Sequence, residues 1–161
     1  MSSLSPMQLK DFAVQLLHVE ANPDFHPHDG AKVSDKLDID FQMKERKGGG
    51  QYRIDLDVGV NKTEAEYKKC AYRIHVIVYA LFEFDKDTPK AEVDKLLGLN
   101  GVAMAYSIVR GAVADATGTS LHEKYLLPTV NFVELMREKA NRSGKKAAVK
   151  KVRRIQSAKE V

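Results

Sequence analysis

Residues 71–84 limit the fold more than any other stretch, because Tyr72, Ile74, Val76, Val78, Ala80, Phe82 and Phe84 fall on every second position. A period of two belongs to a β-strand, since a helix would scatter these side chains around its axis. The alternate positions begin with Arg73 and His75 but continue as Ile77, Tyr79 and Leu81, so the second half of this strand is apolar on both sides and calls for cover. Two more segments alternate in the same way. Leu37, Ile39, Phe41 and Met43 interleave with Asp38, Asp40 and Gln42, while Tyr52, Ile54, Leu56, Val58 and Val60 interleave with Arg53, Asp55, Asp57 and Gly59. Between them, Lys44 to Gln51 holds Gly48, Gly49 and Gly50, the flexible connection of a hairpin.

Residues 12–20 fit two periods. Phe12, Val14, Leu16 and His18 alternate, whereas Phe12, Leu16 and Val19 fit a helix; the β-favouring Phe and Val residues and the stop at Asn22-Pro23 tip the reading to strand. Phe25 to Asp35 reads as a loop. Thr88-Pro89 marks a helix start, with Thr as N-cap and Pro in the first turn, and the helix runs to about Thr117 with Gly118 as its stop. Its small residues, among them Gly98, Gly101, Ala105 and Ala112, suit close approach of another element, and a helix-to-helix contact between subunits is the expectation. Leu121 to Thr129 is an apolar connection, and Val130 to Ala140 reads as a second helix burying Phe132, Val133, Leu135 and Met136. Strands followed by helices make the class α+β, with an antiparallel sheet.

The 161 residues suit one ordinary domain, and the formal charge of +4 conceals a division. Residues 137–161 hold ten Lys/Arg against two Glu, a net of +8, and the remaining chain nets −4. A high isoelectric point therefore describes the tail and not the body. Val149, Val152 and Ile155 lie at three-residue spacing among the tail cations, the pattern of a basic amphipathic helix that forms on an anionic partner. The expected organisation is a flexible N-terminus over residues 1–11, a folded body over 12–136 and a basic, mobile tail over 137–161. Cys70 is the sole cysteine, which excludes an intramolecular disulfide and a cysteine-clamped zinc and fits a reducing, cytoplasmic setting. The opening residues lack a basic start and apolar run, and the longest uncharged stretch, Leu96 to Val109, is fourteen residues, short of the ~20 needed to cross a bilayer. A soluble protein is expected.

No catalytic set assembles. The chain lacks GxSxG, GxxxxGK[ST] and HExxH; the glycines at 48–50 lead into Gln-Tyr-Arg and a strand; and His18, His75 and His122 are scattered along the sequence. His26-Pro27-His28-Asp29 has metal-binding residue types but no established ligand geometry, so it reads as a solvated loop. No enzyme, cofactor or metal is expected. Asp38, Asp40, Asp55 and Asp57 share the wet faces of adjacent strands, either as a solvated sheet face or as a docking surface for a basic partner.

Several of these segments together resemble the SecB export chaperones. The similarity is carried by Lys36-Leu37-Asp38-Ile39-Asp40, the strand from Tyr52 to Val58, the strand end Leu81-Phe82, Arg110 with Asp115, and Leu126-Leu127-Pro128-Thr129-Val130-Asn131-Phe132; His18 to Pro23 matches the end of the family's first strand. It covers about residues 12–136. The resemblance implies a four-stranded antiparallel sheet with a long and a short helix on one face, assembled as a homotetrameric dimer of dimers. It implies an ATP-independent holdase for unfolded preproteins that can pass them to SecA, or, as in related chaperones, a protector of an antitoxin. Candidate groove residues are Ile77, Tyr79 and Leu81 with Leu126, Leu127 and Phe132. Glu20 matches one acid of the family's SecA-docking surface, while Leu16 stands where another acid is expected, and the basic tail departs from the polar or acidic tails of the family. A different reading is a nucleic-acid-associated regulator that uses the tail, with the α+β body serving to oligomerise; an anionic membrane is another partner the tail could meet.

Overall fold

The computed structural model describes residues 4–27 and 34–142. Within the compact unit Met1–Pro128, the strands β1 (Met7–Ala21), β2 (Leu37–Glu45), β3 (Gln51–Val60) and β4 (Tyr72–Phe84) form one antiparallel sheet in the order β1-β4-β3-β2. A short helix α1 (Glu64–Tyr67) joins β3 to β4, and α2 (Lys90–Leu96) runs through a π turn (Leu97–Gly101) into α3 (Val102–Thr117). The α+β class, the hairpin and the order of strands before the long helix follow the sequence reading, which did not contain α1.

Alternation decides which side of the sheet is dry. Ile54, Leu56, Val58 and Val60 of β3 and Ile74, Val76, Val78, Ala80 and Phe82 of β4 are fully buried and lie beneath the long helix. From above, Val102, Ala105, Val109 and Val113 of α3 complete this core. Gly101 sits so close to the sheet that a Cβ would come within 2.8 Å of Ile54 Cδ1 and 3.6 Å of Phe82 Cε2. The small residues therefore serve mainly the helix-to-sheet contact. Gly98, Gly101 and Ala105, expected at a subunit interface, are buried inside their own chain, and only Ala112 of that set keeps partial exposure.

Buried positions at 93, 97, 101, 105, 109, 113 and 117 recur at a strict spacing of four. At 3.6 residues per turn, each such step overshoots a full turn by about 40°, so an unbroken α-helix would rotate this row off the sheet. The wide turn at Leu97–Gly101 takes up part of that drift. Thr88 does not cap the helix; its N–H donates to the Asp85 carbonyl within a turn, and the extended Pro89 takes the cap position. The helical stretch Lys90–Thr117 is 28 residues and long and apolar enough to cross a membrane, which the uncharged stretch alone did not suggest. In this fold its apolar side is committed to the sheet.

β1 explains its own ambiguity. Irregularities between Leu9 and Asp11 and between Val14 and Leu16 each add a residue, so the positions facing the helix side run 7, 9, 12, 14, 17, 19 and 21. Such spacing mimics a helix and a strand equally. It also hides the start of the strand: residues 7–11, expected as a flexible end, pair with β4, and Met7 opposite Phe84 is buried.

The second compact unit is Thr129–Val161. Asn131 caps its helix α4, accepting the Glu134 N–H on its side chain and the Leu135 N–H on its carbonyl, so the helix starts at residue 132, about two residues later than its sequence pattern indicates, and is helical through 142, the last described residue. Residues 143–161, most of the basic tail, lie outside the described residues, as does His28.

Candidate functional site

The side of the sheet away from the long helix is open and divides lengthwise. On β4, Ile77, Tyr79 and Leu81 are half-exposed in a row, and β1 sets Leu16 opposite Ile77 and Ala13 opposite Tyr79. On the other flank, β3 sets Asp57 opposite Ile77, Asp55 opposite Tyr79 and Arg53 opposite Leu81. An apolar row thus runs beside a charged one. Arg53 lies over the Tyr79 ring at 4.5 Å from its centroid, a cation–π contact that ties the two together. A cavity of about 410 Å³ opens there, lined by Tyr79, Leu81, Arg53, Lys44, Arg46 and Asp11 with Glu45.

The charged row is satisfied within the chain. Asp55 accepts from Lys44 Nζ at 2.8 Å and from Arg53 Nε at 2.5 Å. Burial works to raise the Asp55 carboxyl, but these hydrogen bonds and charges outweigh it and hold it below its ordinary value. Asp38 and Asp57 share Lys62 at 3.2 and 3.3 Å, and Asp57 also accepts from His75 Nε2 at 3.1 Å. Burial would lower the Lys62 ammonium, yet bonds to Asp38 and Asp57 leave it raised. Gly59 makes this pairing feasible, because any Cβ there would collide with the Lys62 stem lying across the strand. Glu20 lies 3.6 Å from Arg73, which also pairs with Glu64 and covers the Tyr67 ring. The acids Glu20, Asp38, Asp55 and Asp57, expected to await a basic partner, each face a cation of their own chain, and Asp40 accepts the Phe41 N–H.

The other expected groove residues separate. Leu126 is 66% exposed, whereas its neighbour Leu127 is 1% exposed and belongs to the core. Successive residues of an extended segment point to opposite sides, so Leu126-Leu127 cannot offer both side chains to one ligand. Leu127 is therefore corrected from groove to core. Phe132 opens α4 in the second unit and is half-buried.

Sequence reasoning missed the outer part of β1. Phe12, Val14 and Leu17 lie on the helix side opposite Ala80, Val78 and Val76, yet are 49%, 39% and 44% exposed while those partners are fully buried. β1 is an edge strand of fifteen residues, so backbone groups and apolar side chains are left uncovered together. The signal was present in the apolar residues, but two register shifts concealed which face each occupied.

The remaining chemistry is structural. Cys70 is buried, and burial together with Asp35 pushes its thiol up to about 11. His122 Nε2 donates to the Asn22 carbonyl at 2.7 Å between the edges of Phe25 and Tyr72, and Asn22 Nδ2 donates to the carbonyls of Tyr67 and Cys70. Among the described residues, no three His, Cys, Asp or Glu side chains converge on one point as a metal site.

A family model described as preprotein translocase subunit SecB matches residues 7–143. Among solved structures, the chain is similar to the Mycobacterium tuberculosis SecB-like chaperone Rv1957 in complex with a ChAD peptide from the HigA1 antitoxin. That match has a TM-score of 0.54 and 14% identity, and covers 78% of this chain and 91% of that one. A protein of unknown function from Streptococcus agalactiae also matches, with a TM-score of 0.46, 14% identity and coverage of 76% and 97%. No curated protein matches in sequence.

Proposed function

The chain belongs to the SecB family, and from that premise we propose that it is a non-enzymatic, cytoplasmic chaperone that holds non-native polypeptide without ATP. The observation that carries this reading is the half-exposed row of Ile77, Tyr79 and Leu81, with Leu16 beside it, on a sheet face where Asp38, Asp55 and Asp57 are paired with cations of the same chain. A holdase needs apolar surface that accepts many sequences, and such a row supplies contact without demanding particular hydrogen bonds. At about 25 cal/mol per Å² of apolar area, one short segment binds weakly, and several segments of one unfolded chain reach high avidity on several subunits. Leu126, 66% exposed, supplies further apolar contact.

Assembly fits the uncovered edge. A second copy pairing on β1 would bury Phe12, Val14 and Leu17 and complete the backbone hydrogen bonds, and a dimer of such dimers is the homotetramer of the proposal. Clients are preproteins awaiting export or an antitoxin; the second role is that of the M. tuberculosis chaperone whose complex holds an antitoxin peptide. SecA docking through Glu20, Asp38, Asp40, Asp55 and Asp57 would have to exchange internal ion pairs for intermolecular ones, which makes it weaker and more salt-sensitive than docking on free carboxylates.

The test is dilution of a chemically denatured protein into the purified chain without nucleotide, at several salt concentrations, with and without residues 137–161. Suppression of aggregation that survives moderate salt and loss of the tail is expected. An effect abolished by either would move function to the tail, whose net charge of +8 suits nucleic acid or an anionic membrane.

A further inference from the structure

Histidines 57 residues apart in sequence meet on the open face. His18 of β1 stands directly opposite His75 of β4, one rung beyond Leu17 and Val76. Leu17, Val76, Val19 and Ile74 point toward the helix side, so the alternation puts both imidazoles on the open side, and both are accessible. Directly opposed residues in an antiparallel pair have Cβ atoms about 4.5–5.5 Å apart. Two imidazoles at that separation can reach one ion through bonds of about 2.0–2.1 Å.

Each ring already has a carboxylate on one nitrogen. Asp57 Oδ1 lies 3.1 Å from His75 Nε2, and Glu20 Oε2 lies 3.5 Å from His18 Nε2. A histidine that binds a metal characteristically gives its other ring N–H to a carboxylate, which fixes the tautomer and makes the ligating nitrogen more basic. Here Asp57 holds His75 Nε2 by a hydrogen bond and Glu20 lies within ion-pair range of His18 Nε2, which points to the Nδ1 atoms as the ligands. We propose that His18 and His75 form a two-histidine site for a divalent transition-metal ion, oriented by Glu20 and Asp57.

No third side chain of the described residues joins them, so water completes the coordination and the site is open. Two neutral imidazoles favour Cu²⁺, Ni²⁺ and Zn²⁺ over Ca²⁺ and Mg²⁺, which prefer oxygen ligands. Arg73 and Lys62 share Glu20 Oε2 and Asp57 Oδ1 with the two histidines, so the ion enters a surface whose carboxylates are already paired and adds net positive charge beside Leu16 and Ile77. Bound there, it clips the edge strand β1 to β4.

The experiment is titration of the metal-free, full-length chain with Zn²⁺ by calorimetry, alongside hydrogen exchange of the β1 amides. One saturable equivalent is expected, with slower exchange in β1. Asp57→Asn should weaken binding about 10–100-fold, and His18→Gln or His75→Gln should weaken it at least as much. His26→Gln, in the exposed loop, should leave it unchanged, and circular dichroism checks that each variant folds. Absence of saturable binding, equal affinity in His18→Gln and His75→Gln, or loss in His26→Gln would overturn the assignment.

Discussion

β3 and β4 lie side by side on the open face, residue against residue, and differ in what they lack. Arg53, Asp55 and Asp57 have partners within the chain, whereas their direct neighbours Leu81, Tyr79 and Ile77 keep apolar surface in water. Ion pairs at an exposed surface contribute about 0–1 kcal/mol, and opening them to receive a partner returns little. Covering the apolar row returns the hydrophobic term in full. Under the proposed function, the binding free energy available on this face therefore belongs to β4.

The largest effect is expected outside both rows. Leu127→Ala should destabilise the fold by about 2–5 kcal/mol in chemical denaturation, because it opens a cavity in the core, while Leu126→Ala next to it stays within about 0.5 kcal/mol. Equal effects would mean that the two side chains share one environment and would restore Leu127 to the groove. Next comes the apolar row: Ile77→Ser with Leu81→Ser should cost about 2 kcal/mol of client affinity, roughly thirtyfold in Kd, with little loss of stability. If Arg53→Gln and Asp57→Asn weakened an uncharged client as much, the contrast between the strands would fail.

The charged row should show itself in acid. The Asp55 carboxyl is held below its ordinary value in the fold, so its contribution to stability is complete above the unfolded value and disappears as pH falls through the folded one. Wild type should exceed Asp55→Asn by at most about 1 kcal/mol near neutrality, after allowance for screening, and the two should converge below the ordinary carboxylate range. A difference that grew on acidification would contradict the pairing. The smallest effect concerns Cys70: its raised thiol should react with a disulfide reagent at least about tenfold more slowly than free cysteine until the chain unfolds.

Much of this was legible in the sequence because alternation is a local signal. Residues 37–43, 52–60 and 72–84 announced three strands, and the double-sided apolar half of β4 announced the open row before any neighbour was known. What escaped was set by register. Inserted residues in β1 scrambled a period of two, concealing both the early start of the strand and the exposed Phe12, Val14 and Leu17. Gly101 and Ala105 were recognised as sites of close approach, but composition cannot say whether the approaching element is a second helix or the chain's own sheet; Ile54 and Phe82 answer that. The internal partners of the acids were equally invisible, since Lys62 reaches Asp38 from 24 residues away only after β2 and β3 have paired.

The most direct measurement of the central claim is methyl NMR of the full-length chain while an unfolded, nucleotide-free client is added. The methyls of Leu16, Ile77 and Leu81 should shift and broaden together, with those of Leu56, Val58 and Val78 beneath the helix unchanged. Perturbation that spared Ile77 and Leu81 while client was bound would contradict the account, because binding would then draw on a surface other than the apolar row of β4.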